Sequence, residues 1–170
     1  MPTFFIFIGA AVGFISGRLK DRLDARIVKQ AFTRAIRVEL TNLRQHLEGT
    51  LKDAAEVMDL LQKGARKALH LSTTFQIGVY TSQLGKLRDV SDPVVLEIIR
   101  FYDQLSNLER VKNHAAARSR ELTVLTTSKE DAEREQPIAL DYASSLEEVI
   151  KRVNQLLAAA DSLLSKLPQA

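Results

Sequence analysis

Residues 1–17 read MPTFFIFIGAAVGFISG, and this stretch decides the architecture of the chain. It contains no charged side chain, and seven Lys and Arg residues follow between positions 18 and 37. As a helix the stretch is roughly 25 Å long, close to the ~30 Å thickness of the hydrocarbon core of a bilayer. The pattern predicts a transmembrane anchor over residues 1–19.

Two other interpretations of this segment remain open. A cleaved signal peptide would carry a basic segment before the apolar one, whereas here only the terminal amine is positive. It would also end in a small-residue cleavage site, which Ala10-Ala11-Val12 matches poorly. A buried or interfacial helix is the second alternative, because the apolar stretch is short for a spanning helix.

The charges after the apolar segment predict its orientation. Lys and Arg near a membrane end stay on the cytoplasmic side, so the body of the chain should be cytoplasmic and the N-terminus outside. We therefore expect a single-pass protein of a bacterial-type inner membrane, with the bilayer as a partner. The basic collar that should contact anionic lipid headgroups consists of Arg18, Lys20, Arg22 and Arg26.

Three glycines repeat at four-residue spacing inside the predicted anchor. Gly9, Gly13 and Gly17 would lie near one face of a helix. Small residues at this spacing let two membrane helices approach closely, which predicts self-association into a homo-oligomer. Glycine is also simply frequent in membrane helices, which is the alternative explanation.

Composition limits the chemistry that the chain can perform. The absence of cysteine excludes a disulfide framework, a thiol nucleophile and any cysteine-based metal site. Residues 1–70 hold 12 basic and 7 acidic side chains, whereas residues 120–170 hold 6 and 9. A basic membrane-proximal part with an acidic tail favours an anionic lipid surface over nucleic acid as the partner.

The remainder, residues 20–170, is predicted to be one cytoplasmic helical-bundle domain. The first helix should continue from the anchor to about Gln62, where Lys63-Gly64 is a helix-terminating signal. A second helix is predicted from Ser72 to Leu87. The alternation of Phe75, Ile77 and Val79 could indicate a strand, but no partner strand exists to satisfy its backbone.

The last two helices are predicted from proline positions and apolar periodicity. Asp92-Pro93 should start the third helix, which continues to about Leu125. Pro137 either begins the fourth helix or kinks a preceding turn, and the charged run 128–136 is interpreted as a solvated connection. The apolar face of the fourth helix should pack on the other three, giving an all-α four-helix bundle that ends before Pro168.

The histidines do not form a metal-binding or catalytic spacing. His46, His70 and His114 are scattered, without a His-Glu-x-x-His or Glu-x-x-His pattern. The segment from Gly78 to Lys86 has six residues between its glycines, where a phosphate-binding loop has four, so that motif is rejected. The sequence therefore implies no catalytic residue, metal or cofactor.

Two Arg/His pairs permit one family comparison. Arg66 precedes His70 and Arg110 precedes His114. In outline the chain resembles HEPN-type ribonucleases, small helical bundles in which His follows Arg after four to six residues, and some phage-defence effectors add an N-terminal membrane segment. Both pairs here have three intervening residues, which departs from that motif, and residues at this spacing simply share a helix face.

Together these features predict a non-enzymatic, self-associating membrane scaffold whose bundle recruits an unidentified protein. A membrane-perturbing or pore-forming oligomeric effector of a lysis or defence system is the first alternative. A HEPN-like ribonuclease is the second.

Overall fold

A computed structural model describes the backbone of residues 3–64, 75, 77–87, 93–124 and 129–168. Side chains are described within these ranges from residue 30 on, except for residues 83–87 and 129–133. The described residues form four helices and no strand, which confirms the all-α prediction. The helices are α1 (Thr3–Gln62), α2 (Gly78–Leu87), α3 (Pro93–Val124) and α4 (Lys129–Lys166).

The longest helix ends where the sequence predicts. After Gln62 the amide of Lys63 donates to the carbonyl of Asp59 (3.1 Å), and the amide of Gly64 donates to that of Leu61 (3.0 Å). Gly64 has a φ of 76°, in the left-handed region that side chains other than glycine avoid. The α1 helix is therefore closed by a glycine cap and is continuous for 60 residues before it.

Helix α4 holds the bundle together, because it packs against both α1 and α3. Arg44 on α1 pairs with Asp161 (2.7 Å), and Arg37 donates to the carbonyl of Leu167 (2.8 Å) at the C-terminal end of α4. The numbers rise along α1 as they fall along α4, so these two helices are antiparallel. Arg37 thereby caps the carbonyls that the end of α4 leaves without helical partners.

Helix α3 is also antiparallel to α4 and so runs in the same direction as α1. Glu97 near its start pairs with Lys166 (2.6 Å), and Arg118 near its end pairs with Asp141 (2.6 Å). These pairs lie at the surface and contribute little to stability, but they fix the register of the two helices.

The core divides into a large cluster and a smaller one. The large cluster joins residues of all four helices at the end of the bundle where α2 lies, and its fully buried members include Ile36, Leu40, Leu108, Val153 and Leu156. The smaller cluster lies at the other end and comprises Val57, Ala115, Leu122, Tyr142 and Leu146.

The predicted second helix is wrong at its start. Phe75 and Ile77 lie outside any helix and α2 begins at Gly78, while residues 72–74 and 76 lie outside the described residues. The segment before α2 is held by a tertiary contact, in which the amide of Phe75 donates to the side chain of Glu109 on α3 (3.1 Å).

The N-terminal part of α4 also differs from the prediction. The charged residues 129–136 are helical and not a connection, and Pro137 lies inside α4. Pro137 has no amide hydrogen, so one hydrogen bond is missing near the start of a helix that continues for a further 29 residues to Lys166.

Among the described residues, no helix is long and apolar enough to cross a membrane. The anchor prediction for residues 1–19 depends on side chains outside the described ones. The division into residues 1–19 and 20–170 stays a prediction, and α1 extends across that boundary without a break.

The central position of α4 leads to a stability prediction for two of its leucines. Replacing buried Leu156 by alanine should lower the free energy of unfolding by about 2–5 kcal/mol, because the lost side chain leaves a cavity between packed helices. The matched change Leu140→Ala, at a side chain that is 65% exposed, should cost less than about 0.5 kcal/mol. Urea denaturation of the full chain in detergent, followed by circular dichroism, measures both; equal losses would contradict this packing.

Candidate functional site

The three predicted self-association glycines all lie on α1. A helix turns by about 100° per residue, so steps of four keep Gly9, Gly13 and Gly17 within about 80° of one another. The backbone therefore permits the predicted stripe.

The predicted basic collar also lies on α1, but its members are divided between two sides. The four-residue spacing places Arg18, Arg22 and Arg26 on one side of the helix and Lys20 on nearly the opposite side. Their side chains lie outside the described ones, as do those of the glycine segment.

Outside these positions, the most constrained polar group of the described chain is the Glu39 carboxylate. Glu39 is 7% exposed, although it lies on α1 between core residues. Its Oε2 accepts from the amide of Val79 (2.6 Å), and its Oε1 accepts from the amide of Tyr80 (3.2 Å) and the hydroxyl of Tyr102 (2.5 Å). We call Glu39, Tyr80 and Tyr102 the Glu39 cluster.

Glu39 functions as the N-terminal cap of α2 from a distant position in the chain. The first amides of a helix have no helical acceptor, and a negative group there also interacts favourably with the helix dipole. Ile77 precedes α2 and has no side-chain acceptor, although its carbonyl accepts from the amide of Thr81 (3.1 Å). The carboxylate of α1 therefore supplies the cap that the local sequence lacks, and it holds α2 against α1.

Two aromatic rings complete the Glu39 cluster. Tyr80 and Tyr102 stack with ring centroids 3.9 Å apart and an interplanar angle of 5°, and Phe101 meets Tyr102 edge-on at 5.4 Å. Burial raises the pKa of Tyr102 well above its usual 10.0, and the hydrogen bond and negative charge of Glu39 raise it further. Tyr102 therefore stays a neutral hydrogen-bond donor to Glu39.

A second contact fixes the segment before α2 to helix α3. The Lys112 ammonium lies 4.6 Å from the centroid of the Phe75 ring, and Lys112 is only 5% exposed. Burial lowers the pKa of Lys112, while the negative charges of Glu109 and Asp53 raise it. Phe75 contacts α3 one turn or more beyond Tyr102, so the chain from Phe75 to Tyr80 runs opposite to α3.

An open groove of about 680 Å³ lies between α1 and the start of α2. Its lining side chains apart from Glu39 are small, amide-bearing or apolar, with the imidazole of His46 at one end. The α2 side consists of Gly78 and Val79, and the α1 side consists of Ala35, Val38, Glu39, Asn42, Leu43, Gln45 and His46. Because Glu39 is committed to three donors, this groove is suited to packing against another surface rather than to acid–base chemistry.

The Arg/His pair on α3 lies on the surface and its members have different partners. Arg110 donates to the side chain of Asn107, whereas His114 Nε2 lies 3.7 Å from a carboxylate oxygen of Asp141 on α4. Arg118 pairs with the same Asp141. The other pair, Arg66 and His70, lies outside the described residues. The described residues contain no group of three His, Cys, Asp or Glu side chains that could hold a metal ion.

Sequence reasoning missed the Glu39 cluster entirely. One signal was available: Glu39 interrupts the apolar stripe of Ile36, Leu40 and Leu43, and a carboxylate at a buried helix position requires partners. The partners themselves lie 40 to 63 positions away, and no local pattern connects them.

Comparison with models of protein families, with curated proteins and with solved structures finds no match for this chain.

The three hydrogen bonds to Glu39 predict that its amide variant is destabilised. In Glu39→Gln one acceptor oxygen becomes an amide group that cannot accept from the Val79 or Tyr80 amide. We expect a loss of about 1–3 kcal/mol and faster hydrogen exchange at those two amides. Glu56→Gln, an exposed change on the same helix, should alter neither quantity. Unchanged exchange at Val79 and Tyr80 in Glu39→Gln would refute the capping role.

The raised pKa of Tyr102 predicts how stability depends on pH. The unfolded chain ionises its tyrosines near pH 10.0, while folded Tyr102 remains neutral, so its contribution is complete below pH 10 and falls as the pH rises above it. In Tyr102→Phe this fall should be shallower but still present, because burial also raises the pKa of Tyr142. Urea denaturation between about pH 9 and pH 11 measures both slopes; identical slopes would contradict the burial of a neutral Tyr102.

Proposed function

We propose that this protein is a single-pass membrane scaffold, anchored by residues 1–19, whose cytoplasmic helical bundle recruits another protein. One observation carries the proposal: α1 is a single helix from Thr3 to Gln62. It therefore joins the uncharged N-terminal segment to the core of the bundle, whose first fully buried α1 residue is Ile36. A continuous helix transmits the position and tilt of an anchor to the domain that it carries.

The geometry of α1 sets the distance between the bundle and the bilayer. Seventeen residues separate Leu19 from Ile36, about 25 Å of helix at 1.5 Å per residue. The basic collar at Arg18, Lys20, Arg22 and Arg26 would lie at the headgroups on the cytoplasmic side. The bundle would then stand clear of the lipid, where a cytoplasmic partner can reach it.

Self-association through Gly9, Gly13 and Gly17 is part of the proposal. Lipid tails are as apolar as the helices, so close backbone approach is what favours association there. A scaffold of this kind would present several bundles side by side and so increase the effective concentration of the recruited protein.

A binding role fits the described chemistry better than catalysis does. Glu39 and Tyr102 already hold α2 through hydrogen bonds. The pair of His114 and Asp141 lies at the surface, where the electrostatic interaction between the two side chains is screened by solvent and salt. The open groove beside α2, in contrast, offers a surface for packing whose only carboxylate, Glu39, already has three hydrogen-bond donors.

Cell fractionation tests the anchor. The intact chain, expressed in a bacterium with a C-terminal tag, should remain with the membrane pellet after washing with high salt and with alkaline carbonate. The matched variant that lacks residues 1–19 should be released into the supernatant.

Three other outcomes would change the proposal. Release of the intact chain by carbonate would refute the anchor. Processing to a shorter chain would favour the cleaved signal peptide. Leakage of dye from vesicles that contain the purified protein would favour the membrane-perturbing effector, because a scaffold leaves the bilayer intact.

A further inference from the structure

One side of α1 is uncharged for about five helical turns and is exposed except at half-buried Ala35, although a quarter of the chain is charged. We call this side the outer face of α1. Val38 at its centre is 62% exposed, and four residues of this face also line the groove beside α2. The outer face consists of Ala31, Ala35, Val38, Asn42, Gln45 and Gly49.

The outer face points away from the core of its own bundle. Core residues such as Leu40 and Leu47 lie about 160–180° around the helix from the centre of the outer face. A second molecule can therefore approach the outer face without displacing α4, which packs on the opposite side of α1.

The spacing of the outer face is that of a helix-pairing seam. Its residues follow one another at intervals of four, three, four, three and four, the alternation of positions a and d in a heptad repeat. Asn42 occupies an a position, where a single Asn is known to fix register and favour a two-stranded pair.

The lack of charge on this face favours a second copy of the chain as the partner. In a parallel symmetric pair each residue near the axis meets its own equivalent, so any charged residue there would face a like charge. From Ala31 to Gly49 the seam has none. Lys52 and Glu56, the next two positions of the repeat, mark where the uncharged seam ends.

The surroundings of Gly49 within its own chain give separate support for a helix that packs against the outer face. A Cβ atom built at Gly49 would meet nothing within 4 Å, so no contact inside this molecule requires a glycine there. Glycine nevertheless lowers helix stability relative to alanine. The observation is explained if the backbone at Gly49 is approached closely by a neighbouring helix.

The outer face also continues the direction of the glycine stripe in the predicted anchor. About eight helical turns separate Gly13 from Asn42, so both lie on the same side of a continuous α1. Two copies anchored side by side would hold their outer faces at the same height and in parallel.

We propose that the outer face of α1 binds the outer face of a second copy of this chain in a parallel pair. The proposal deepens the proposed function and rests on it, because the anchor sets the orientation and height of the two copies. The seam is only weakly apolar, so pairing depends on the membrane to raise the local concentration of the two copies. In the pair, each groove beside α2 shares most of the contact residues with the seam.

Contact at both the anchor glycines and the outer face restricts the angle at which the two α1 helices can cross. Glycine-mediated membrane pairs commonly cross at about 40°. Two straight helices crossing at that angle at Gly13 would be about 30 Å apart at Asn42, which lies about 44 Å along the axis. Even at the 20° of left-handed pairs, straight helices would be about 15 Å apart there, so contact at both places requires the two helices to wrap around each other as a left-handed coiled coil.

Cysteine cross-linking of the full chain in native membranes tests the proposal, since the chain has no cysteine of its own. Val38→Cys and Asn42→Cys place single thiols on the outer face, and Ala10→Cys reports on the anchor. Glu48→Cys is the matched control, exposed on α1 but about 100° away from the centre of the face. A disulfide forms only when the two Cα atoms come within about 7 Å.

We expect the oxidised dimer to form at least tenfold faster in Val38→Cys and Asn42→Cys than in Glu48→Cys. Dimer in Ala10→Cys alone would overturn the outer-face pair while leaving anchor self-association intact. Dimer in none of the variants would overturn both. Equal rates at all four positions would indicate random collision and would also overturn the assignment of the face.

Discussion

The continuity of α1 is the constraint on which the rest of this structure depends. One helix carries the uncharged N-terminal segment, the basic collar and the core face of the bundle without a proline or a loop between them. The position of each part along the helix axis and its rotation about that axis are therefore fixed relative to the other parts. That rigidity relates the rotation of Gly13 about the helix axis to that of Asn42, and under the proposed function it makes the position of the bundle a consequence of the position of the anchor.

The bundle is built asymmetrically around this helix. Helix α4 packs on α1 and α3, whereas the fourth position is occupied along only part of its length by the ten residues of α2. So short a helix is not stable alone, and its attachment depends on contacts with distant residues. Glu39 provides the cap, and Tyr102 provides both a hydrogen bond to that cap and a stacking surface for Tyr80. Within the described part of the chain, the same arrangement leaves the outer face of α1 exposed apart from half-buried Ala35.

The helices were predictable from the sequence where local signals determine them. Apolar periodicity identified α1, α3 and α4, and Gly64 and Pro93 marked helix ends at positions that the structure confirms. The two errors differ in kind: residues 129–136 are mostly good helix formers, a local signal that the interpretation as a connection overlooked, whereas the segment before α2 is held by tertiary contacts. Phe75 was assigned to a helix because Ile77, Tyr80 and Leu84 share a helical face, yet its amide is bound by Glu109 of α3. The Glu39 cluster could not be predicted for the same reason, because its acceptor and donors come from three different helices.

The central claim is that the N-terminal part of α1 lies in the hydrocarbon of a bilayer, and a tryptophan reporter tests it most directly. The chain contains no tryptophan, so Phe7→Trp and, as a control, Leu140→Trp each give a single fluorophore. In bilayers of brominated lipid, the account predicts strong quenching of Trp at position 7 and little quenching at position 140, with the opposite order for aqueous iodide. Quenching of position 7 by iodide but not by brominated lipid would contradict the account.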